Sequence, residues 1–108
     1  MRILVTGGAG FIGSHLVETL VNKGHDVTVL DSLISGHKQN LSKVAGKPNL
    51  QFIRGDCRNP QDVSKALKDV EIVFHFAASS DICLDIADPK TCYEQNLVST
   101  YTLLEGVR

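Results

Sequence analysis

Hydrophobic and polar positions along this chain follow two alternating periods, and the switches between them mark its elements. Arg2 to Val5 is a short apolar run closed by Thr6-Gly7-Gly8, the pattern of a buried strand that ends in a glycine turn. From Phe11 to Lys23 the period lengthens: Ile12, Leu16 and Leu20 recur at helical spacing, and Gly24 stands where a helix would stop. Val27-Thr28-Val29-Leu30 predicts a second strand with Asp31 at its end, completing a strand-helix-strand unit of about thirty residues. The polar stretch from Ser32 to Asn49 contains Gly36, Gly46 and Pro48 and predicts no more than a short helix over Lys38 to Val44.

Leu50 to Arg54 predicts a third strand, followed by Gly55-Asp56. Asn59-Pro60 is a helix start, with Asn as cap, Pro in the first helical position and Asp62 in the positive first turn. Ile72 to Ala78 is almost continuously apolar, as a strand covered on both faces requires. Asp88-Pro89 repeats the cap and proline, and Tyr93, Leu97, Thr100, Leu104 and Val107 line one side of a helix that is still running at Arg108. Strand and helix alternate throughout with connections of a dozen residues or more, so the strands should pair in parallel with right-handed crossovers.

Composition narrows what such a sheet is for. The 108 residues make one domain, and 43% hydrophobic with 21% charged residues is ordinary for a globular chain, which leaves no reading as disorder or as a membrane span. A formal charge of -1 gives no field to gather nucleic acid or anionic lipid, so neither is expected as a partner. The opening apolar run stops at Thr6, too soon for a signal peptide, and the expected location is the cytoplasm. Cys57, Cys83 and Cys92 are an odd number with no C-x-x-C pair and no zinc-like histidine spacing, so they read as reduced, mostly buried thiols and no metal site is expected.

The chemistry concentrates in Thr6 to Gly13, where Gly7, Gly10 and Gly13 have the spacing G-x-x-G-x-x-G. Gly7 permits a tight exit from the strand, Gly10 a close approach of a pyrophosphate to the backbone, and Gly13 close packing of helix on strand. Open N–H groups at the positive end of the first helix would then bind the phosphates. Three glycines alone are a weak signal, but these follow a strand, open a helix and precede Asp31 by about twenty residues. A carboxylate at Asp31 accepts hydrogen bonds from ribose hydroxyls and repels a 2′-phosphate, so the predicted cofactor is NAD rather than NADP. Asp56, on the same rim of the sheet, fits equally an acceptor for the adenine amino group and a simple turn or cap residue.

These motifs, in this order, resemble the N-terminal portion of the extended short-chain dehydrogenase/reductase family, nearest to UDP-glucose 4-epimerases and related sugar-nucleotide enzymes. Thr6 to Gly13 resembles the family's cofactor loop, Asp31-Ser32-Leu33-Ile34-Ser35-Gly36 its D-N-L-x-x-G segment, Gly55-Asp56-Cys57-Arg58 its G-D-[ILV]-R, and Val73 to Ala78 its V-F-H-L-A-A strand. Asp88-Pro89, Tyr93, Asn96, Thr100 and Leu103-Leu104-Glu105 resemble the helix that follows, while Ser32, Cys57 and Ser99 depart from the usual Asn, aliphatic residue and Gly. The resemblance implies a Rossmann-type, doubly wound parallel sheet of about four strands in the order 3-2-1-4 with helices on both faces. It also implies Phe11 and Ile12 beside the diphosphate, Asp31 and Ser32 at the adenosine ribose, and Asp56 and Cys57 at the adenine. Ala77, Ala78 and Ser79 would line the path to the nicotinamide, with Asn96 nearby.

Enzymes of that family take a substrate proton with a Tyr whose pKa is lowered by a Lys four residues later. Here Leu97 and Glu105 stand four residues after Tyr93 and Tyr101, so no catalytic residue is assigned. His75 reads as a structural residue beneath the cofactor, and His15, His25 and His37 as surface or turn residues. No G-x-S-x-G elbow points to a hydrolase.

Residues 1–108 are therefore expected to be a truncated NAD-binding half-domain, a piece of a longer chain or the product of a shortened gene. A sugar nucleotide would bind only in a full-length context. The alternatives are a non-catalytic dinucleotide sensor or interaction module, the N-terminal half of a related dehydratase, decarboxylase or reductase, and a purely structural assembly domain. A homodimer is predicted through the last helix, with Leu97, Tyr101 and Leu104, or through the edge of the fourth strand.

Overall fold

The computed structural model describes residues 1–78 and 86–108. Strand β1 (Arg2–Thr6) is followed by helix α1 (Phe11–Asn22), strand β2 (Asp26–Asp31), a 3₁₀ turn (Lys38–Leu41), strand β3 (Leu50–Arg54), helix α2 (Pro60–Ala66) and strand β4 (Ile72–His75). Helix α3 (Pro89–Tyr93), a π-helical segment (Glu94–Val98) and helix α4 (Ser99–Val107) then run on without a break. The four strands pair in parallel, as the alternation of strand and helix implies, and in the order β3-β2-β1-β4, as the family resemblance implies. Val5 sits opposite both Val29 and Phe74, so the register places the β-branched positions of the middle strands side by side.

Because side chains alternate across a strand, each of these strands feeds two cores. Ile3, Val5, Val27 and Val29 point to one face and pack with Val17 and Val21 of α1 and with Leu41 and Val44. Leu4, Leu30 and Ile53 point to the other, against Val63 and Ala66 of α2 and Leu103 of α4. Helices thus cover both faces, as a doubly wound sheet requires. Asn59 caps α2 by accepting from the Gln61 N–H at 2.9 Å, and Asp88 caps α3 by accepting from the Thr91 N–H at 3.2 Å, both as read from the sequence. Among the described residues no helix is long and apolar enough to cross a membrane.

Three elements differ from expectation. The helix predicted over Lys38 to Val44 is a 3₁₀ turn that ends at Leu41, because only Leu41 and Val44 have a core to enter and one turn's worth of contact does not nucleate an α-helix. Strand β4 stops at His75, not Ala78: Thr6–His75 is its last pair with β1, and beyond it the Phe76 and Ala77 N–H groups both donate to the Thr6 hydroxyl. Its residues are only half-buried, as befits the edge of the sheet.

The last helix is not uniform. A π segment interrupts it, with Ser99 Oγ donating to the Glu94 carbonyl at 3.2 Å, and the residues buried in α4 are Ser99, Thr102 and Leu103. Tyr93, Leu97, Tyr101, Leu104 and Val107 face outward, each more than half exposed. Gly106 lets α4 lie close to α2, since a Cβ there would come within 2.8 Å of Val63 and Leu67, and the bulky stripe is left on the far side.

Candidate functional site

All four strands end on one rim, and a cavity of about 510 Å³ opens there. At its floor β1 runs out at Thr6 and the chain turns sharply through Gly7, whose φ of +66° is a left-handed conformation in which a side chain would be strained. The Gly7 N–H donates to the Leu30 carbonyl at 2.9 Å and its own carbonyl accepts from Gly10 N–H at 3.1 Å. A Cβ on Gly13 would collide with that same carbonyl, so only glycine lets α1 start this close to the strand.

Helix α1 differs from the other capped helices at its mouth. Its cap residue is Gly10, no side chain caps it, and no acidic residue stands in its first turn. The first N–H groups of an α-helix have no partner inside it, and the helix dipole adds a partial positive charge there. Residues 11–13 therefore present donors and positive potential beside Gly7 and Gly10 on the cavity floor, an arrangement made for an anion.

Asp31, 8% exposed at the end of β2, lines the same cavity. Its Oδ2 accepts from the Ala9 N–H at 2.9 Å and its Oδ1 from the Leu33 N–H at 2.8 Å, the latter with Leu33 at φ +63°. Both oxygens are thus aimed by backbone donors, and each keeps lone-pair capacity for a further donor such as a hydroxyl. Asp56, on the opposite wall, is engaged by Arg58: the guanidinium Nε lies 3.0 and 2.9 Å from its two oxygens, and the Arg58 N–H donates at 2.8 Å. Burial raises the Asp56 pKa, but the bonds and charge of Arg58 outweigh it and hold the carboxyl below its ordinary range. Arg58 also reaches Glu94 of the π segment at 3.3 Å and so ties two walls together. Burial, with the charge of Asp56 beside it, pushes the Cys57 thiol up to about 12, so it stays protonated and lines the cavity as a small apolar group.

Beneath the floor a polar relay joins β1, β4 and α4. Thr100 Oγ1 donates to the Asn96 carbonyl at 2.7 Å, so it accepts from His75 Nε2–H at 3.1 Å. His75 Nδ1 must then accept, and Thr6 Oγ1 donates to it at 2.6 Å while receiving the Phe76 and Ala77 N–H groups at 3.0 and 3.2 Å. The relay assigns His75 as the neutral Nε2–H tautomer, and burial lowers its pKa in agreement.

Of the residues singled out from the sequence, Gly7, Gly10, Asp31, Ser32, Asp56, Cys57, Ala77 and Ala78 line this cavity together. The Phe11 and Ile12 side chains point to solvent at 78% and 67% exposure, so only their backbone stands at the helix mouth. Gly13 is buried beneath the loop, and Ser79 and Cys83 lie outside the described residues. Asn96 does not line the cavity; its amide donates to Cys92 Sγ at 3.4 Å, and the helix wall is built by Asp88, Thr91, Cys92, Gln95 and Ser99. Those five stand at i, i+3, i+4, i+7 and i+11, a spacing that marks one helix face but is polar and so less conspicuous than the apolar stripe. Tyr93 and Tyr101 do not reach the cavity.

Comparison with known proteins bears on this geometry directly. The family model for the NAD dependent epimerase/dehydratase family matches residues 3–108. The chain is 40% identical over 109 residues to a UDP-glucose 4-epimerase of Lactobacillus helveticus, covering 99% of this chain and 32% of that protein. It superposes on the dTDP-glucose 4,6-dehydratase of Streptomyces venezuelae, solved with NAD bound, with a TM-score of 0.93 at 41% identity, covering 99% of this chain and 35% of that one. A UDP-glucose 4-epimerase of Thermus thermophilus, also solved with NAD, gives a TM-score of 0.85 at 40% identity, covering 98% and 33%. The chain therefore spans about a third of the length of these relatives. With its glycine loop, its Asp31 and its four-stranded order all inside the matched span, the chain belongs to the NAD dependent epimerase/dehydratase family.

Proposed function

We propose that this chain is the NAD-holding portion of a nucleotide-sugar epimerase or dehydratase. The observation that carries the reading is one cavity with an uncapped helix N-terminus at its floor and a buried, backbone-aimed carboxylate on its wall. These residues fit a dinucleotide: the N–H groups of residues 11–13 would hold the diphosphate, Asp31 and Ser32 the adenosine ribose, and Asp56 and Cys57 the adenine. Ala77 and Ala78 would flank the nicotinamide side. A 2′-phosphate would set its charge against the Asp31 carboxylate, which favours NAD over NADP. NAD, when bound, supplies a group that accepts and returns hydride.

The described residues bind and orient. His75 braces the floor from below, and neither tyrosine of this chain has a lysine four residues on. On this reading the proton-transferring pair and the sugar-nucleotide pocket belong to residues outside this chain. Calorimetric titration of the folded chain tests the first step: NAD binds, NADP binds at least about tenfold more weakly, and failure of both to bind would defeat the reading.

A second observation concerns association. Tyr93, Leu97, Tyr101, Leu104 and Val107 form an outward apolar stripe, which favours self-association through the last helix over pairing at the β4 edge.

A further inference from the structure

The connection between β2 and β3 reaches back to the glycine loop. Leu41 and Val44, 4% and 1% exposed, sink into the core beside α1 and anchor the 3₁₀ turn there. The Asn40 N–H donates to the His37 carbonyl at 2.9 Å and closes that turn. So held, Asn40 Nδ2 donates to the Ala9 carbonyl at 2.8 Å, across 31 residues of chain. The His37 N–H donates to the same oxygen at 3.0 Å.

A carbonyl oxygen has two lone pairs, so that of Ala9 is saturated. The Ala9 N–H is committed to Asp31 at 2.9 Å, and the residue is wholly buried. Ala9 is therefore bolted at both its polar groups, its N–H to the end of β2 and its carbonyl to the β2–β3 connection. Its carbonyl shares a peptide plane with the Gly10 N–H, which bonds to the Gly7 carbonyl at 3.1 Å. Rotation of that peptide would break the Gly10 bond and could turn a negative carbonyl end toward an anion at the helix mouth.

We propose that Asn40 is a positioning residue for the diphosphate: by holding the Ala9 carbonyl to the β2–β3 connection, it leaves the loop presenting donors alone. This rests on the dinucleotide reading above and adds to it a residue that touches no part of the ligand. The same bond ties the glycine loop to the connection that carries Ser32, Ile34 and Ser35 of the cavity wall.

The test is NMR titration of the 108-residue chain and its Asn40→Ala variant with NAD, ADP and adenosine. Loss of one hydrogen bond at the loop is expected to weaken NAD and ADP about fivefold to tenfold and to leave adenosine within about twofold. Asn40→Asp, of similar size but without the N–H donor, should weaken the phosphate-bearing ligands at least as much, and it carries the test if Asn40→Ala does not fold. Unchanged NAD affinity, or an equal loss for adenosine and NAD, would overturn the proposal while leaving the dinucleotide reading in place. A folded wild-type chain that binds none of the three would overturn that reading itself, and the role of Asn40 with it.

Discussion

Asp31 holds two backbone donors in place from a nearly buried position, which makes it structural before it touches any ligand. Asp31→Ala would strand the N–H groups of Ala9 and Leu33, and urea denaturation should show a loss of about 2–4 kcal/mol. Asp31→Asn removes the charge and leaves one acceptor for the two backbone donors; in the folded variant the NAD to NADP affinity ratio, measured by calorimetry, should fall about tenfold or more. His75 makes a different prediction, about pH. Protonation would turn Nδ1 into a donor facing a Thr6 oxygen that already receives two N–H groups. Its pKa is lowered from 6.5 by burial, so the unfolded chain binds the extra proton first as pH falls. Its contribution is therefore present above about pH 6.5, declines as pH drops through the folded-state value, and changes by at most about 1.4 kcal/mol per pH unit. Stability measured against pH should show this slope in the wild type and lose that component in His75→Asn; identical profiles would refute the relay.

Between elements, the contact with most consequence for the cavity is that of the β3 exit with the π segment. Arg58 bonds Asp56 on one side and Glu94 on the other, and a π turn places Gln95 and Ser99 on the cavity wall while Ser99 answers the Glu94 carbonyl. Such insertions are common at functional sites because they re-aim side chains without ending the helix. Arg58 is partly exposed, so Arg58→Met should cost no more than about 1 kcal/mol of stability. The larger effect should be on Asp56, whose carboxyl loses the partner that holds its pKa down; carboxyl-carbon NMR should show it titrating at higher pH in the variant. The order of elements and their caps was legible because each depends on neighbours in sequence, as with Asn59-Pro60 and Asp88-Pro89. The π insertion was not, since it depends on how α4 seats against α2 and β4.

For the whole molecule, the outward stripe of the last helix predicts a concentration-dependent dimer. Sedimentation of the wild type should show association that Leu97→Lys abolishes, and a wild type that stays monomeric at high concentration would rule the interface out. Helical spacing puts Tyr93, Leu97, Leu104 and Val107 on one side of a helix together with Thr100, which the structure turns inward to His75, but a stripe does not say which way it faces. That was decided by Ser99, Thr102 and Leu103, which fit closely against the rest of the fold. The same division runs through the molecule. The parallel pairing, the glycine turn, the open start of α1 and the place of Asp31 followed from sequence alone, because they rest on side-chain periodicity, backbone freedom and contacts within one strand-helix-strand unit, whereas the strand order came only from the family resemblance. The Asn40 bond to Ala9, the Thr6-His75-Thr100 relay and the helix wall of the cavity were decided only by tertiary structure. Each joins residues 25 or more apart in sequence, or sets the rotation of a helix about its axis, and hydrogen-bond direction and packing at that range leave no periodic trace in the chain.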